Sequence, residues 1–335
     1  MRRRTVTART ALAALATSLV LAACGDKDSS DDADGDGPEA QAVAAGAKLA
    51  ATWPLTGLPV TGEDEAAKEH PVMVLKMDNT YASSPQVGLG EADLVVEELV
   101  EGGMTRLAAF YYSQIPTEAG PVRSMRASDI GIVSPVHGAM VTINRIEDAE
   151  IPFFSEGDKG FYRDSGRAAP YNLFTDMAET ATLVDQEDLE RPDNYLPWGG
   201  ESDFPKGQPA NTLAASFSGG HTTNWRFDGG TYVNENTYAG AGDEFPADTV
   251  LVLRVKVGDA GYRDPAGNPV PETEFTGQGQ AMIFHGGRLV RGTWTKSALD
   301  APIELSTKAG PLTVPAGHTW VELVPQDGGS VTFGK

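Results

Sequence analysis

The chain contains a single cysteine, Cys24, and this feature limits how everything else in it can be stabilised. One cysteine excludes internal disulfides and thiolate metal clusters, so each folded domain depends on its hydrophobic core. The 335 residues suffice for two domains with separate cores, and the 38 glycines and 22 prolines indicate many turns. We therefore expect much β structure and loop, and less helix.

Cys24 ends an N-terminal segment that has the features of a secretion signal. Four arginines within the first nine residues precede an apolar run over 10–22, which is too short to span a bilayer, a task for about 20 residues. Residues 21–25 resemble a bacterial lipobox, in which signal peptidase II cuts before a cysteine that has received a diacylglyceryl group. We predict a signal peptide over 1–23 and lipidation of Cys24, which places the protein on the extracytoplasmic face of the cell membrane. The alternatives are an uncleaved anchor and a cysteine that is merely buried or free.

The chain is strongly acidic, with a formal net charge of −21, and removal of the signal takes away four arginines and no acid. Such a protein lacks the basic face that non-specific nucleic-acid binding needs. Residues 24–52, rich in Asp, Ser, Gly and Ala, are predicted to form an acidic disordered tether. The predicted partners are the membrane, through the lipid anchor, and an anionic envelope ligand or a partner protein, with no nucleic acid.

Short apolar runs divided by Gly and Pro predict strands on both sides of a connector at 191–209. The first domain, 53–190, contains strand candidates at 71–79, 94–100, 105–113 and 138–144, with a β-hairpin around Gly102-Gly103 and an amphipathic helix over 177–190. The second domain, 210–335, has strand candidates at 211–217, 222–227, 249–257, 280–284 and 318–324. We predict an α+β fold of two β-rich domains with separate cores, the first a mixed sheet with helices and the second mostly antiparallel β.

The densest side-chain chemistry lies in residues 120–126, Gly-Pro-Val-Arg-Ser-Met-Arg, just before an apolar run. Ser124 or Ser128 is predicted to cap the helix that follows, and the free N–H groups there favour an anion. Residues 101–170 contain six arginines and one lysine, a bias that suits bidentate recognition of carboxylate or phosphate. The predicted anionic-ligand site consists of Arg123, Arg126, Arg163, Arg167 and Asn172.

Two interpretations of these arginines remain open. In a ligand site their charges repel one another, so Arg126→Met should leave stability nearly unchanged. In an internal network they pair with Glu97, Glu98 or Asp129, and the same change should cost about 3 to 5 kcal/mol.

Other chemistry is sparse. The five histidines do not have a metal-ligand spacing, and the chain contains no Gly-x-Ser-x-Gly elbow, Walker loop or Cys/His pair. Gly277-Gln278-Gly279 precedes a predicted strand, so it fails as a dinucleotide fingerprint, and Ser124 has no specified base. The tryptophans are interpreted as core or as a sugar-stacking platform. We predict no cofactor and no metal. The catalytic residues stay unknown, and a non-enzymatic role is favoured over an enzymatic one.

Four motifs together resemble the YerB family of bacterial lipoproteins, which is built on a domain of unknown function. They are Pro-Leu-Thr-Gly-Leu-Pro at 54–59, Glu-Glu-Leu-Val-Glu-Gly-Gly-Met-Thr-Arg at 97–106, residues 120–126, and Arg-Ala-Ala-Pro-Tyr-Asn-Leu-Phe at 167–174. The resemblance covers roughly 54–333. It implies an α+β fold in two parts, a lipid-anchored location and no established activity. The family's last motif usually has His where this chain has Tyr171, so a base or ligand role is not carried over.

Three function classes follow. The favoured one is a binding or scaffold module for an anionic cell-envelope component or a partner protein. The alternative is an enzyme acting on an anionic cell-wall substrate by arginine-stabilised phosphoryl or acyl transfer. The third is a purely structural envelope lipoprotein.

Overall fold

The computed structural model describes residues 52–61, 68, 70–144, 146, 150–184, 189 and 191–335. Cys24, the signal peptide and residues 24–51 of the predicted tether lie outside the described residues.

Strands dominate the described residues. Those up to residue 199 are β1 (Met73–Asp78), β2 (Leu94–Leu99), β3 (Thr105–Tyr111), β4 (Ala139–Val141), β5 (Phe153–Phe154), β6 (Phe161–Arg163), β7 (Leu173–Thr175) and β8 (Trp198–Gly199). The later ones are β9 (Gln208–Pro209), β10 (Thr212–Ser216), β11 (Thr222–Asp228), β12 (Thr231–Asn234), β13 (Thr249–Arg263), β14 (Pro269–Glu274), β15 (Gly277–His285), β16 (Arg288–Lys296), β17 (Glu304–Thr307), β18 (Gly310–Pro311), β19 (Val314–Pro315), β20 (Thr319–Pro325) and β21 (Ser330–Gly334).

Helices are short. The described residues contain two α-helices, α1 (Ser128–Val133) and α2 (Met177–Ala181). The 3-10 turns are Tyr81–Ser83, Leu89–Glu91, Glu101–Gly103, Ser134–Val136 and Glu201–Asp203. The fold is therefore mostly β, and its helix content is low for the predicted α+β class.

One large mixed sheet organises the fold. Among the described residues, thirteen strands belong to it, in the order β18-β17-β16-β15-β13-β20-β2-β3-β1-β4-β5, with β14 paired to β13 and β9 to β16. The strand β20 lies between β2 and β13 and is parallel to both. The predicted hairpin is present, with β2 and β3 antiparallel.

Each face of this sheet is covered by a hydrophobic cluster. On one face, Val96 and Phe110 pack with Leu251 and Val321, and α1 lies on this side. On the other face lies a second sheet, the antiparallel β12-β11-β10-β21, whose Trp225 packs in the cluster of that face. Tyr111 and Tyr112 point into opposite clusters, as the alternation of a strand requires.

The structure differs from the expectation of two separate cores. Both clusters combine side chains from 53–190 with side chains from 210–335, because β20 joins strands of the two segments in one sheet. The predicted connector is also packed in this core: Tyr195 is buried and its hydroxyl donates to the Ile132 carbonyl at 3.0 Å. The boundaries at 190 and 210 stay a prediction.

Two local expectations are corrected. The helix predicted over 177–190 ends at Ala181 and is followed by turns at 182–184, while most of its remainder lies outside the described residues. Helix α1 starts after Ala127 without a side-chain cap, so neither predicted serine caps it. Ser128 Oγ instead accepts a hydrogen bond from the Thr273 N–H at 2.9 Å.

Candidate functional site: an arginine corner beside a buried lysine triad

The motif at 120–126 runs alongside the end of β1. The Asp78 N–H donates to the Pro121 carbonyl at 3.1 Å, and the Arg123 N–H donates to the Lys76 carbonyl at 2.7 Å. Gly120 has a φ of 154°, and a Cβ there would lie 2.7 Å from the Phe174 ring, so glycine is required for the close approach. This path places Arg123 at the carboxyl end of β1, beside the start of β3.

Three guanidiniums and two carboxylates meet there, and we call them the arginine corner: Arg106, Arg123, Arg126, Asp78 and Glu101. Arg106 joins it through strand pairing, since Asp78 and Arg106 are opposite each other in the β1–β3 register. Four of the five side chains are at most 10% exposed, and Arg123 is 17% exposed. The corner is thus nearly closed, and Arg123 is its most accessible member.

Glu101 connects two of the arginines. It accepts hydrogen bonds from Arg126 Nε at 2.8 Å and from Arg126 Nη2, and a third from Arg106 Nη2 at 2.8 Å. Burial favours the neutral acid, but the hydrogen bond from Arg126 and the two positive charges outweigh it and lower the pKa of Glu101. Arg126 is therefore held in a bidentate ion pair, with Glu101 rather than with Glu97, Glu98 or Asp129 side chains.

Arg123 has the loosest attachment in the corner. Its Nε lies 3.2 Å from Asp78 Oδ2, and its guanidinium lies 5.2 Å from the centre of the Tyr171 ring. Its Nε and Nη1 are buried and make no well-aligned hydrogen bond among the described residues, since Nε meets Asp78 only as an ion pair. A guanidinium offers five N–H donors, so Arg123 retains most of its capacity to bind an anion. Within the corner, three positive charges face two negative ones.

A lysine triad of Lys76, Glu98 and Asp129 lies on the same face of the sheet. Lys76 Nζ donates to Glu98 Oε1 and, at 2.7 Å, to Asp129 Oδ1, and all three side chains are fully buried. Asp129 Oδ2 accepts the Arg126 N–H at 2.7 Å, which links the triad to the corner. Burial raises the pKa of Glu98 to about 7, with Asp129 adding to the rise and Lys76 opposing it.

The remaining predicted site residues lie on the β6–β7 hairpin and its loop. Arg163 makes a bidentate ion pair with Glu156 at 2.5 Å for both contacts, and its Nη1 donates to Asn172 Oδ1 at 2.7 Å. Its side chain is 42% exposed. Since Tyr171 contacts Arg123, the hairpin approaches the corner at Tyr171, while the Arg163–Asn172 bond lies within the hairpin itself.

Arg167 has a different role. Its Nη1 and Nη2 donate to the carbonyls of Ser83 and Pro85 at 3.1 and 2.7 Å, and its Nε lies 3.3 Å from Asp164. It therefore fastens the loop that follows β1. Thus, of the five predicted residues, Arg123 and Arg126 share the corner, Arg163 and Asn172 bind each other, and Arg167 holds a loop.

Three members of the corner were missed by the sequence reasoning: Arg106, Glu101 and Asp78. Arg106 could have been found from the predicted hairpin, because the turn at Gly102-Gly103 sets it opposite Glu98 on β2. Glu101 gives no such signal, since it lies in the turn itself.

The opposite face of the sheet carries a second buried polar cluster. Glu97 on β2 and Glu322 on β20 are opposite each other in register and are fully buried. Glu97 accepts hydrogen bonds from Asn79 Nδ2 at 3.0 Å and from Thr105 Oγ1 at 2.7 Å, and its Oε1 lies 2.8 Å from His221 Nε2. This cluster connects the two sheets.

The two carboxyl groups of this cluster differ in charge. Burial and the negative charge of Glu97 raise the pKa of Glu322 well above its usual range. Burial acts on Glu97 too, but the hydrogen bond and charge of His221 outweigh it and lower the pKa of Glu97. Burial likewise opposes the charge of His221, yet Glu97 raises the pKa of His221. Together these shifts favour the neutral form of Glu322 and the charged forms of Glu97 and His221.

Neither a candidate metal site nor a candidate membrane-spanning helix is found among the described residues. No group of three or more His, Cys, Asp or Glu side chains suited to a metal ion occurs among the described residues. Within that same part of the chain, none of the helices is long and apolar enough to cross a membrane.

The described part of the chain thus defines a β-rich protein in which a mixed sheet carries a buried polar cluster on each face. Its sequence matches two family models, Protein of unknown function (DUF3048) N-terminal domain over residues 55–190 and DUF3048 C-terminal domain over residues 213–321. The chain belongs to the DUF3048 family of proteins of unknown function, which confirms the resemblance seen in its motifs.

One relative and one solved structure extend this result. The chain is 23% identical over 300 residues to “Putative lipoprotein YerB” of Bacillus subtilis (strain 168), covering 84% of this chain and 89% of the relative. The crystal structure of the YerB protein from Bacillus subtilis superposes with a TM-score of 0.68 at 21% identity, covering 85% of this chain and 100% of that chain. The two proteins share a fold.

Proposed function

We propose that this protein is a lipid-anchored extracytoplasmic protein that binds an anionic component of the cell envelope at the arginine corner. The lipobox around Cys24 and the name lipoprotein carried by the Bacillus subtilis relative support the anchored location. Two acyl chains on one residue hold a protein at a membrane stably. The tether then gives the folded residues reach into the envelope.

The observation that carries the binding role is Arg123. Among the described residues, its buried Nη1 has no acceptor and its Nε meets Asp78 without a well-aligned hydrogen bond, and it belongs to a cluster with one more cation than carboxylates. Unpaired buried donors are costly, so an acceptor that reaches them is bound favourably. A phosphate or carboxylate group fits, because the planar fork of arginine matches both.

We propose binding rather than catalysis because the carboxylates at the corner are already committed. Glu101 accepts from two arginines, and Asp78 lies against Arg123 while its Oδ1 accepts from Thr80 Oγ1 at 2.5 Å. A general base needs an acceptor oxygen facing the substrate. Among the described residues of the corner, neither acid offers one.

The proposal is tested by titrating the detergent-solubilised full chain with sodium sulfate, inorganic phosphate and glycerol 3-phosphate, following the melting temperature. Binding to the folded state should raise the melting temperature by mass action, and Arg123→Gln should remove the rise. Arg226→Gln is the matched control, since Arg226 is 46% exposed and lies on β11 in the second sheet, paired with Asp228 and Glu235. If no anion stabilises the wild type, or if the two variants behave alike, the corner is not the site.

A further inference from the structure

The arginine corner and the lysine triad together form one buried charge cluster on a single face of the sheet. Its cations are Lys76, Arg106, Arg123 and Arg126, and its acids are Asp78, Glu98, Glu101 and Asp129. The two groups are joined at Asp129, whose two carboxylate oxygens accept from Lys76 and from the Arg126 N–H. The Arg126 donor is its backbone N–H, and because the side chains of both groups are largely buried, a charge change in the triad acts on the corner with little screening.

Glu98 is the member of the cluster whose charge is least fixed. It shares one ammonium with Asp129, and its second oxygen, Oε2, makes no well-aligned hydrogen bond among the described residues, although the Ser128 hydroxyl lies close to the carboxyl group. Two carboxylates and one ammonium sealed from water favour a proton on one of the carboxylates. Both carboxylate oxygens of Asp129 already accept hydrogen bonds, so we expect the proton on Glu98.

Among the described residues, Lys76 is the cation that the Glu98 carboxylate contacts. From β1 it faces Lys76, from α1 Asp129, and from β3 it lies opposite Arg106, which Glu101 already binds. On β20 the residue opposite it is the apolar Leu323, and from the connector Tyr195 lies beside Asp129. With Glu98 protonated, the eight charged groups carry one excess positive charge. With Glu98 ionised, they are balanced.

We propose that anion binding at the arginine corner is coupled to the uptake of a proton by Glu98, so that the ligand is held more tightly in mildly acidic than in alkaline surroundings. This inference rests on the proposed function. The direction follows from the excess charge, because an anion is attracted to the protonated cluster and repelled by an ionised Glu98. Unit charges about 10 Å apart at an effective dielectric constant of about 20 change affinity about tenfold or somewhat more.

Two measurements with sulfate test the coupling, since sulfate keeps its charge throughout the pH range used. The first is calorimetric titration of the wild type near pH 7 in two buffers of different ionisation enthalpy, which reports the protons taken up on binding. We expect uptake of a fraction of one proton per sulfate. This measurement needs no variant, so it stands even if a change at Glu98 impairs folding.

The second measurement compares sulfate affinity at pH 6 and pH 8 for the wild type, Glu98→Gln and Glu322→Gln. The wild type and Glu322→Gln should bind about tenfold more weakly at pH 8, because Glu322 lies on the other face of the sheet. Glu98→Gln should bind equally at both pH values. Sulfate binding with no proton uptake, or with the same pH dependence in Glu98→Gln, would overturn the coupling and leave the proposed function intact. Absence of sulfate binding at every pH would overturn both.

Discussion

Glu97 and Glu322 lie opposite each other on adjacent parallel strands, and both carboxyl groups are fully buried at the interface between the two sheets. Trp320 Nε1 donates to Glu97 at 3.2 Å, and Trp225 Nε1 donates to Glu322 at 2.7 Å. Their pKa values are shifted in opposite directions, which favours a neutral Glu322 beside an ionised Glu97 that accepts from several donors.

This asymmetry predicts unequal effects of two similar substitutions. Glu322→Gln keeps a donor toward Glu97 and should cost about 1 kcal/mol or less. Glu97→Gln places an amide N–H2 against several donors and removes the counter-charge of His221, which should cost about 3 to 5 kcal/mol. Urea denaturation of the two variants provides the comparison. Equal losses would mean that the proton is not placed on Glu322.

A pH dependence of stability is expected from Glu98. Its folded-state pKa of about 7 is raised from the usual 4.5, so between these values the folded state binds more protons than the unfolded state. The contribution of Glu98 to stability is therefore fully present below pH 4.5 and is lost as the pH rises toward 7, by roughly 3 kcal/mol in total. Glu98→Gln lacks this contribution. The difference in unfolding free energy between the variant and the wild type should grow from pH 4.5 to pH 7 and then level off, and a constant difference would contradict the assignment.

The bidentate pair between Arg126 and Glu101 decides between the two outcomes that the sequence left open for Arg126→Met. The change leaves a nearly buried Glu101 with only Arg106, so we expect a loss of about 3 to 5 kcal/mol rather than a neutral effect. Arg123→Met should cost clearly less stability, because Asp78 keeps its hydrogen bond from the Thr80 hydroxyl and lies opposite Arg106. The change also relieves repulsion among the guanidiniums. Thermal denaturation of both variants tests the order, and the reverse order would contradict it.

Arg167 should control a local rather than a global property. Arg167→Gln removes the hydrogen bonds to Ser83 and Pro85, and amides of the loop at 79–87 should then exchange faster with solvent. Arg163→Gln is the matched control, because its partners Glu156 and Asn172 lie outside that loop. Hydrogen exchange followed by mass spectrometry measures the effect. Equal exchange in the two variants would show that Arg167 does not fasten the loop.

The anchor prediction concerns Cys24. The wild type should partition with membranes and carry acyl chains on its N-terminal cysteine, while Cys24→Ala should be unlipidated. Cell fractionation with mass spectrometry of the N-terminal peptide provides the readout. A membrane-bound protein with an unmodified Cys24 would exclude the lipid anchor.

The sequence predicts those parts of the fold that depend on neighbouring residues. Alternation and turns located the hairpin of β2 and β3, and they located the start of the long strand β13. Long-range pairing leaves no local pattern, so the insertion of β20 between β2 and β13 was not foreseen, and the two segments were expected to have separate cores.

The same limit applies to the site. The sequence singled out Arg123 and Arg126 from their density of charge. It did not select Glu101 as the partner of Arg126, because the choice among neighbouring acids depends on the direction of each side chain. Glu97 and Glu98 point to opposite faces of the sheet, while Glu101 lies in the turn.

The position of β20 also sets the order in which the fold is completed as the chain is synthesised. Of the three central strands, β2 emerges first, β13 much later, and β20, which hydrogen-bonds to both, emerges last. Until it emerges, β2 and β13 each present an unpaired edge, the kind of surface that pairs with other chains. Because the contacts span most of the sequence, folding is slow relative to local collapse. A nascent chain of this protein therefore needs protection until its central strand arrives, and a chain truncated before β20 should aggregate rather than fold as an isolated first half.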